Sequence, residues 1–168
     1  MKTLTLIAAM SFGVFAGYSQ DVKEADVPSA VKDAFAKKYP GLKAEWEKED
    51  GNYEAEFEGK KMQVNMENGK GKKVEVEGSI LISPDGTVLE TEEEIEVSAL
   101  PNGISEYITK NVGGKKIKEA SKITDKAGTI TYEAEVGKEE YFFDSKGAFI
   151  KKAEMKDEKD DDDKKKKD

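Results

Sequence analysis

Cysteine, histidine and arginine are all missing from the chain. Without cysteine or histidine there is no Cys/His zinc site, no Cys or Ser-His nucleophile system, no haem ligation by these residues and no disulfide scaffold. Any catalysis would rest on Asp, Glu, Lys, Tyr, Ser or Thr. All 28 basic residues are lysines, so the planar guanidinium fork suited to bidentate phosphate recognition is absent. Those lysines face 36 Asp and Glu, a formal net charge of -8, and an acidic chain repels nucleic acid. Two independent grounds therefore argue against nucleic-acid binding. The G-x-S-x-G, P-loop and Rossmann glycine patterns are absent as well, so an enzyme is not expected and no cofactor is implied.

Long apolar runs are scarce. Leu4 to Ala16 is uncharged and apolar, Lys2 precedes it, and Gly17 and Ser19 are small residues at the -3 and -1 positions of a cut before Gln20. This reads as a secretory signal peptide over residues 1–19. The run is too short to span about 30 Å of hydrocarbon comfortably, and no cysteine follows that could carry a lipid. The expected product is a soluble periplasmic or secreted protein with no membrane insertion after cleavage.

What remains is patterned, with 36% hydrophobic residues against 38% charged. Val27, Val31, Ala34 and Phe35 recur at helical spacing after Pro28, and Tyr39-Pro40-Gly41 stops the helix. A second helix opens on Leu100-Pro101, carries Ile104, Tyr107 and Ile108, and ends at Gly113-Gly114. Elsewhere the period is two. Ile130 to Val136 puts Ile130, Tyr132, Ala134 and Val136 on one face, and Tyr53 to Phe57 repeats its Tyr-Glu-Ala-Glu. Gly59 to Gly69 aligns without a gap with Gly137 to Gly147, pairing Val64 with Phe142. These correspondences indicate an internal duplication, with a first unit over 20–98, a second over 99–155 and a disordered charged tail over 156–168. The stretch Lys70 to Ile82 reads as an additional strand inserted in the first unit. Eight to nine strands are expected, mostly antiparallel hairpins, with both helices on one face of an α+β fold.

The paired units, each helix opened by Val27-Pro28 or Leu100-Pro101 and each sheet carrying Tyr-Glu-Ala-Glu at Tyr53 to Glu56 or Tyr132 to Glu135, resemble the PepSY-like family of exported bacterial proteins. The resemblance runs from about Asp26 to Ile150. It implies a fold similar to the β-lactamase inhibitor protein, two tandem helix-plus-four-strand units forming one curved sheet. It supplies no catalytic residues, and its analogy is protein binding or inhibition.

Among the candidate side chains, Glu54 and Glu56, like Glu133 and Glu135, stand two apart and share a face. Paired carboxylates suit acid–base work or calcium, but the solvated face of an amphipathic sheet is the favoured reading. Glu92-Glu93-Glu94 points to alternate faces, so the three do not converge on one ion. Of Phe142 and Phe143 one ring must face away from the other, and Tyr141 with Phe143 is the best aromatic patch for binding, with plain packing favoured. The expected function is a non-catalytic module that binds or inhibits an exported protein or peptide bearing a basic patch. Its expected interaction face comprises Glu54, Glu56, Thr131, Glu133 and Glu135, with Tyr141 and Phe143. The alternative is a cation or small-ligand binder using the acidic face; no metal ligands are assigned.

Overall fold

The computed structural model describes residues 20–64 and 71–154, and of 61–64, 71 and 72 the backbone alone. The expected signal peptide and charged tail lie outside these residues. In chain order the elements are β1 (Gln20–Asp21), α1 (Ser29–Lys38), β2 (Glu45–Glu49), β3 (Asn52–Val64), β4 (Gly71–Ile82), β5 (Val88–Glu94), α2 (Ile104–Asn111), β6 (Ala120–Asp125), β7 (Ile130–Val136), β8 (Glu139–Asp144) and β9 (Phe149–Glu154). The strands form one nine-stranded sheet in which every hydrogen-bonded neighbour is also the neighbour in sequence, and every pair is antiparallel.

Helix α1 begins directly after Pro28, whereas α2 begins at Ile104, three residues past Pro101, with Gly103 at φ 99° as its N-cap. A 3-10 turn, Glu24–Asp26 or Val97–Ala99, comes just before Val27-Pro28 or Leu100-Pro101. The backbone N–H of Tyr39 still donates to the Phe35 carbonyl at 2.8 Å, and Pro40, which has no N–H, stops the helix there. Three hairpins share one turn chemistry. In 83–87, 125–129 and 144–148 the first and fifth residues close a backbone hydrogen bond, and a glycine N–H donates to the first residue's carbonyl. An aspartate carboxylate caps each turn: Asp85 accepts from the Thr87 N–H at 3.0 Å, Asp125 from Ala127 and Thr129 at 2.8 Å, and Asp144 from Lys146 and Ala148 at 2.8 and 2.9 Å. Hydrogen bonds favour the charged form and hold all three carboxyls below the usual range, led at Asp85 by the Ser83 hydroxyl and at Asp125 and Asp144 by these backbone N–H groups.

Two apolar clusters form. The first joins Val31 and Phe35 of α1 to Trp46, Ala55, Phe57, Ile80 and Ile82, with Tyr53 packed against it. The Phe35 ring meets Tyr39, Trp46 and Phe57 at 5.8, 5.6 and 5.8 Å between centroids. The second joins Ile104 and Ile108 of α2 to Ala120, Ala134, Val136, Tyr141 and Phe143, with Tyr132 packed against it. Cross-strand partners lie on the same side of a pleated sheet. One row of partners runs Trp46, Ala55, Ile80, Thr91, Thr124, Ile130.

Two expectations are corrected. Gly59 and Gly137 are not counterparts: Gly59 lies within β3 opposite Val76, whereas Gly137 has φ 78° between β7 and β8. Tyr141 and Phe143 instead play towards α2 the part that Ile80 and Ile82 play towards α1. Nor is Lys70 to Ile82 an additional strand. From Gly71 to Ile82 it is the single strand β4, paired with β3 throughout, so the extra length went into one long hairpin. Glycine is required at one point of that strand. A Cβ on Gly78 would stand 2.0 Å from the backbone oxygen of Glu92 on β5, so any side chain would push the two strands apart.

A carboxylate-lined sheet face as candidate functional site

The positions alternating with the two clusters carry the charge. One row of partners runs Glu47, Glu54, Leu81, Glu90, Asp125, and the next runs Glu45, Glu56, Ser79, Glu92, Ile123, Thr131. Two more run Glu94, Ser121, Glu133, Phe142, Lys151, and Glu135, Glu140, Ala153. Glu54 and Glu56 on β3 and Thr131, Glu133 and Glu135 on β7 therefore share a side. Glu90, Glu92, Glu140 and Lys151 join them, although the expected face did not include them.

This side is not the solvated ladder that alternation suggests. Glu92 is 1% exposed, and Glu54, Glu135 and Glu140 are buried as well. Removing water from a carboxylate raises its pKa. Burial is the leading cause for every shift here. It carries Glu54 up to about 8, with the Ser79 hydroxyl pulling down and Glu49 and Glu56 pushing up. Glu92 rises to about 7, offset in part by the Ser121 hydroxyl and reinforced by Glu90 and Glu140. Glu133 rises to about 9, with Glu92, Glu140 and Glu135 adding repulsion and Lys151 opposing it. Glu90 reaches about 7, helped by Asp125, and Glu140 is raised through burial and Glu135. Near neutral pH this face therefore retains protons that an exposed carboxylate would have lost.

Lysines serve parts of the face. The Lys118 ammonium donates to Glu135 Oε1 at 2.8 Å, and the Glu135 side chain is 8% exposed. Lys151 Nζ lies 4.6 Å from the centroid of the Phe142 ring. That contact answers the question posed by the two adjacent phenylalanines. Phe143 is in the cluster beneath α2, and Phe142 faces the carboxylates at 1% exposure, covered in part by the Lys151 chain. Neither oxygen of Glu92 has a hydrogen bond of good geometry among the described residues, the Ser121 hydroxyl being its nearest polar neighbour, and Glu54 Oε1 and Glu140 Oε2 are also buried without one. No three carboxylates among the described residues are grouped so as to hold a metal ion.

Tyr141 and Phe143 drop out of the expected binding patch. Both rings are buried in the second cluster, because Tyr141 pairs with Ala134 and Phe143 with Tyr132, on the α2 side. The Tyr141 hydroxyl reaches the rim and donates to Glu139 Oε2 at 2.6 Å. Lys152 Nζ donates to the other Glu139 oxygen, also at 2.6 Å. Loss of water and the Glu139 charge push the Tyr141 phenol up to about 12. On the α1 side, Tyr39 donates to Glu93 Oε1 at 3.1 Å, so Glu92 and Glu93 do face opposite ways.

The signal for the missed residues lay in runs that break alternation. Ile80-Leu81-Ile82 and Tyr141-Phe142-Phe143 are apolar at consecutive positions, which requires both faces of the sheet to exclude water.

The chain belongs to the PepSY-like family, described as "Putative beta-lactamase-inhibitor-like, PepSY-like", whose model matches residues 17–72 and 60–151. In fold it is similar to a crystal structure of "putative periplasmic proteins" from Bacteroides eggerthii, at 16% identity and a TM-score of 0.59, covering 76% of this chain and 88% of that one. It is also similar to a BLIP-like protein from Bacteroides fragilis, at 18% identity and a TM-score of 0.51, covering 79% and 90%. No curated protein matches the chain. Among the described residues no helix is long and apolar enough to cross a membrane.

Proposed function

We propose that this protein is an exported, non-catalytic binding module that holds a protein or peptide with a basic patch against its carboxylate-lined sheet face. One observation carries the reading: Glu54, Glu90, Glu92, Glu133 and Glu140 crowd one side of the sheet with their carboxyls raised above the usual range. Such a side keeps protons for want of nearby cations, and a basic surface laid on it would favour the ionised carboxylates and be held by them. The architecture behind it is two copies of one unit, over 20–98 and 99–155, each laying its helix on the same side and leaving the carboxylates on the other. A curved sheet with that side concave accounts for the burial of its charged groups. The inhibitor-like name of the family and the BLIP-like name of one structural relative favour protein binding over chemistry. The periplasmic description of another favours export.

The test is association of the purified protein with envelope proteins, measured at low and high salt, for the native chain and for Glu56→Lys with Thr131→Lys. Binding to a basic partner weakens as the Debye length shrinks from about 30 Å at 0.01 M to about 8 Å at 0.15 M. It falls further in the double variant. Capture that is indifferent to both salt and the substitutions excludes this face.

A further inference from the structure

Apart from the carboxylate face, we propose a second docking place: the outer edge of β9, which takes an extended segment of a partner protein as an added antiparallel strand. The warrant is that β9 stands to β8 and α2 as β5 stands to β4 and α1. Residues 83–87 and 144–148 form the same capped turn, and each turn lies against the head of a helix. A Cβ on Gly86 would stand 2.7 Å from the Ala30 carbonyl oxygen, and one on Gly147 would stand 3.0 Å from that of Asn102. The register then slips at the same place in both hairpins. Ile82 faces Val88 while Leu81 faces Glu90, and Phe143 faces Phe149 while Phe142 faces Lys151. Val88, Glu90 and Thr91 thus correspond to Phe149, Lys151 and Lys152. The outer edge of β5 holds β6 in an antiparallel ladder, whereas among the described residues no strand lies on the outer edge of β9.

The backbone groups aimed outward follow from the ladder. The Ile95 N–H donates to the Ala120 carbonyl at 2.8 Å, so by alternation Thr91 and Glu93 aim their N–H and C=O groups at β6. Their counterparts Lys152 and Glu154 aim theirs away from β8. Counting from the other direction agrees. The Glu135 N–H donates to the Glu119 carbonyl at 2.9 Å, which turns Ala134 and Tyr141 towards each other, then Glu140 and Ala153. Lys152 and Glu154 are again left facing outward, and both are exposed. Such an edge is a template on which main-chain hydrogen bonds give affinity and alternate side chains give specificity.

The strand that fills the equivalent place defines the chemistry of the guest. In β6, Lys122, Ile123, Thr124 and Asp125 oppose Glu93, Glu92, Thr91 and Glu90. The same four residues laid on β9 would oppose Glu154, Ala153, Lys152 and Lys151. Lysine then meets glutamate and aspartate meets lysine directly across the ladder, an arrangement that stabilises strand pairs. A guest reading basic, apolar, hydroxyl, acidic from N- to C-terminus therefore fits this edge. Whereas β6 turns at Asp125, a guest that runs on passes the start of β9. There stand both large apolar side chains exposed among the described residues, Phe149 at 41% and Ile150 at 43%. The Phe149 ring stacks on Tyr107 at 4.9 Å, so an apolar residue shortly after the acidic one has a surface to cover. A second copy of this chain suits the edge less well. Its β6 is held between β5 and β7, its β2 carries β1, and each copy has a net charge of -8.

The probe is the blocked peptide Ser-Lys-Ile-Thr-Asp-Thr-Val, titrated into the protein labelled with nitrogen-15. The amides of Lys152 and Glu154 shift, and with peptide at about ten times its Kd their hydrogen exchange slows about tenfold. The amides of Lys151 and Ala153, which face β8, change little. N-methylation of the threonine before the aspartate blocks a donor aimed at β9 and weakens binding at least about fivefold. N-methylation of the isoleucine, whose N–H points away, leaves the affinity within about twofold. Lysine in place of the aspartate weakens binding about threefold. Glu154→Pro removes one outward N–H from an edge strand and weakens binding likewise, with its amide spectrum as the folding control. Equal binding by the two N-methyl peptides overturns the proposal, as does full binding by Glu154→Pro. So does the absence of any β9 amide shift up to about 10 mM peptide, or shifts confined to the carboxylate face. Protection of the Lys152 and Glu154 amides in dilute protein without peptide would assign the edge to the chain's own residues, and protection that grows with protein concentration would assign it to a second copy. Either result overturns the partner strand and leaves the reading of the carboxylate face untouched.

Discussion

Replacing Glu92 by glutamine should stabilise the protein, and by an amount that depends on pH. Burial lifts the Glu92 carboxyl from 4.5 to about 7. At about 1.4 kcal/mol per pH unit this is a penalty of about 3 kcal/mol on the ionised form. A carboxyl whose folded pKa is raised binds more protons in the native than in the unfolded state. Its contribution is therefore undiminished below about pH 4.5 and is lost as pH climbs through 7. Glutamine fills the same volume, cannot ionise and escapes that loss. Urea denaturation of both proteins between pH 4.5 and 9 is the assay. The two midpoints should nearly coincide at pH 4.5 and separate steadily, until the variant is about 3 kcal/mol more stable at pH 9. For a folded chain of this size that is roughly 10 °C in melting temperature. Glu54, Glu90 and Glu133 have the same sign, so the native protein should itself lose stability over this window. Two curves that stay parallel would show an ionised, solvated Glu92. A variant less stable at every pH would show that the carboxyl makes hydrogen bonds that glutamine cannot.

Gly78→Ala should cost more than about 2 kcal/mol, since its Cβ would lie 2.0 Å from the Glu92 carbonyl oxygen; amide exchange should quicken along β4 and β5 before it does elsewhere. Phe35→Ala removes the ring that meets Tyr39, Trp46 and Phe57. It should cost about 3–5 kcal/mol by urea denaturation and shift the emission of Trp46. Lys118→Met leaves the buried Glu135 carboxylate without its lysine; the melting temperature at pH 7 should fall, and Glu135→Gln in that background should restore most of the loss.

The elements were legible wherever local chemistry decides them. Pro28 and Pro101 announce the helices, and the alternation of Ile130, Tyr132, Ala134 and Val136 delimits β7 at the residues observed. Asp-Gly and the spaced Asp and Gly of 144–147 announce turns. The long β3–β4 hairpin was misread because its glycines and lysines resemble turn material, whereas the pairing of Gly59 with Val76 is set by register across the strands. Which glutamates share a side was likewise legible, because parity is local. That the side excludes water was not. Burial depends on how neighbouring strands close over a residue, and Glu92 shares its electrostatic surroundings with Glu133 and Glu140 from across β6 and β7.

The strictly sequential sheet order has a kinetic consequence. Every strand pairs with the strand next to it in the chain, so each closure spans a short loop or one helix, and the entropy of joining distant segments is never demanded. The first apolar cluster draws on α1, β2, β3 and β4, and the second on α2, β6, β7 and β8. Among the described residues the backbone ladder joining the two regions is the β5–β6 pairing, Glu90 to Asp125 through Glu94 to Ser121, extended by the Ile95 N–H donating to the Ala120 carbonyl. That seam is where cooperativity between the halves is won or lost. Either half can condense around its own helix, and the carboxylates contributed by β5 and by β7 and β8 meet only after the seam has zipped.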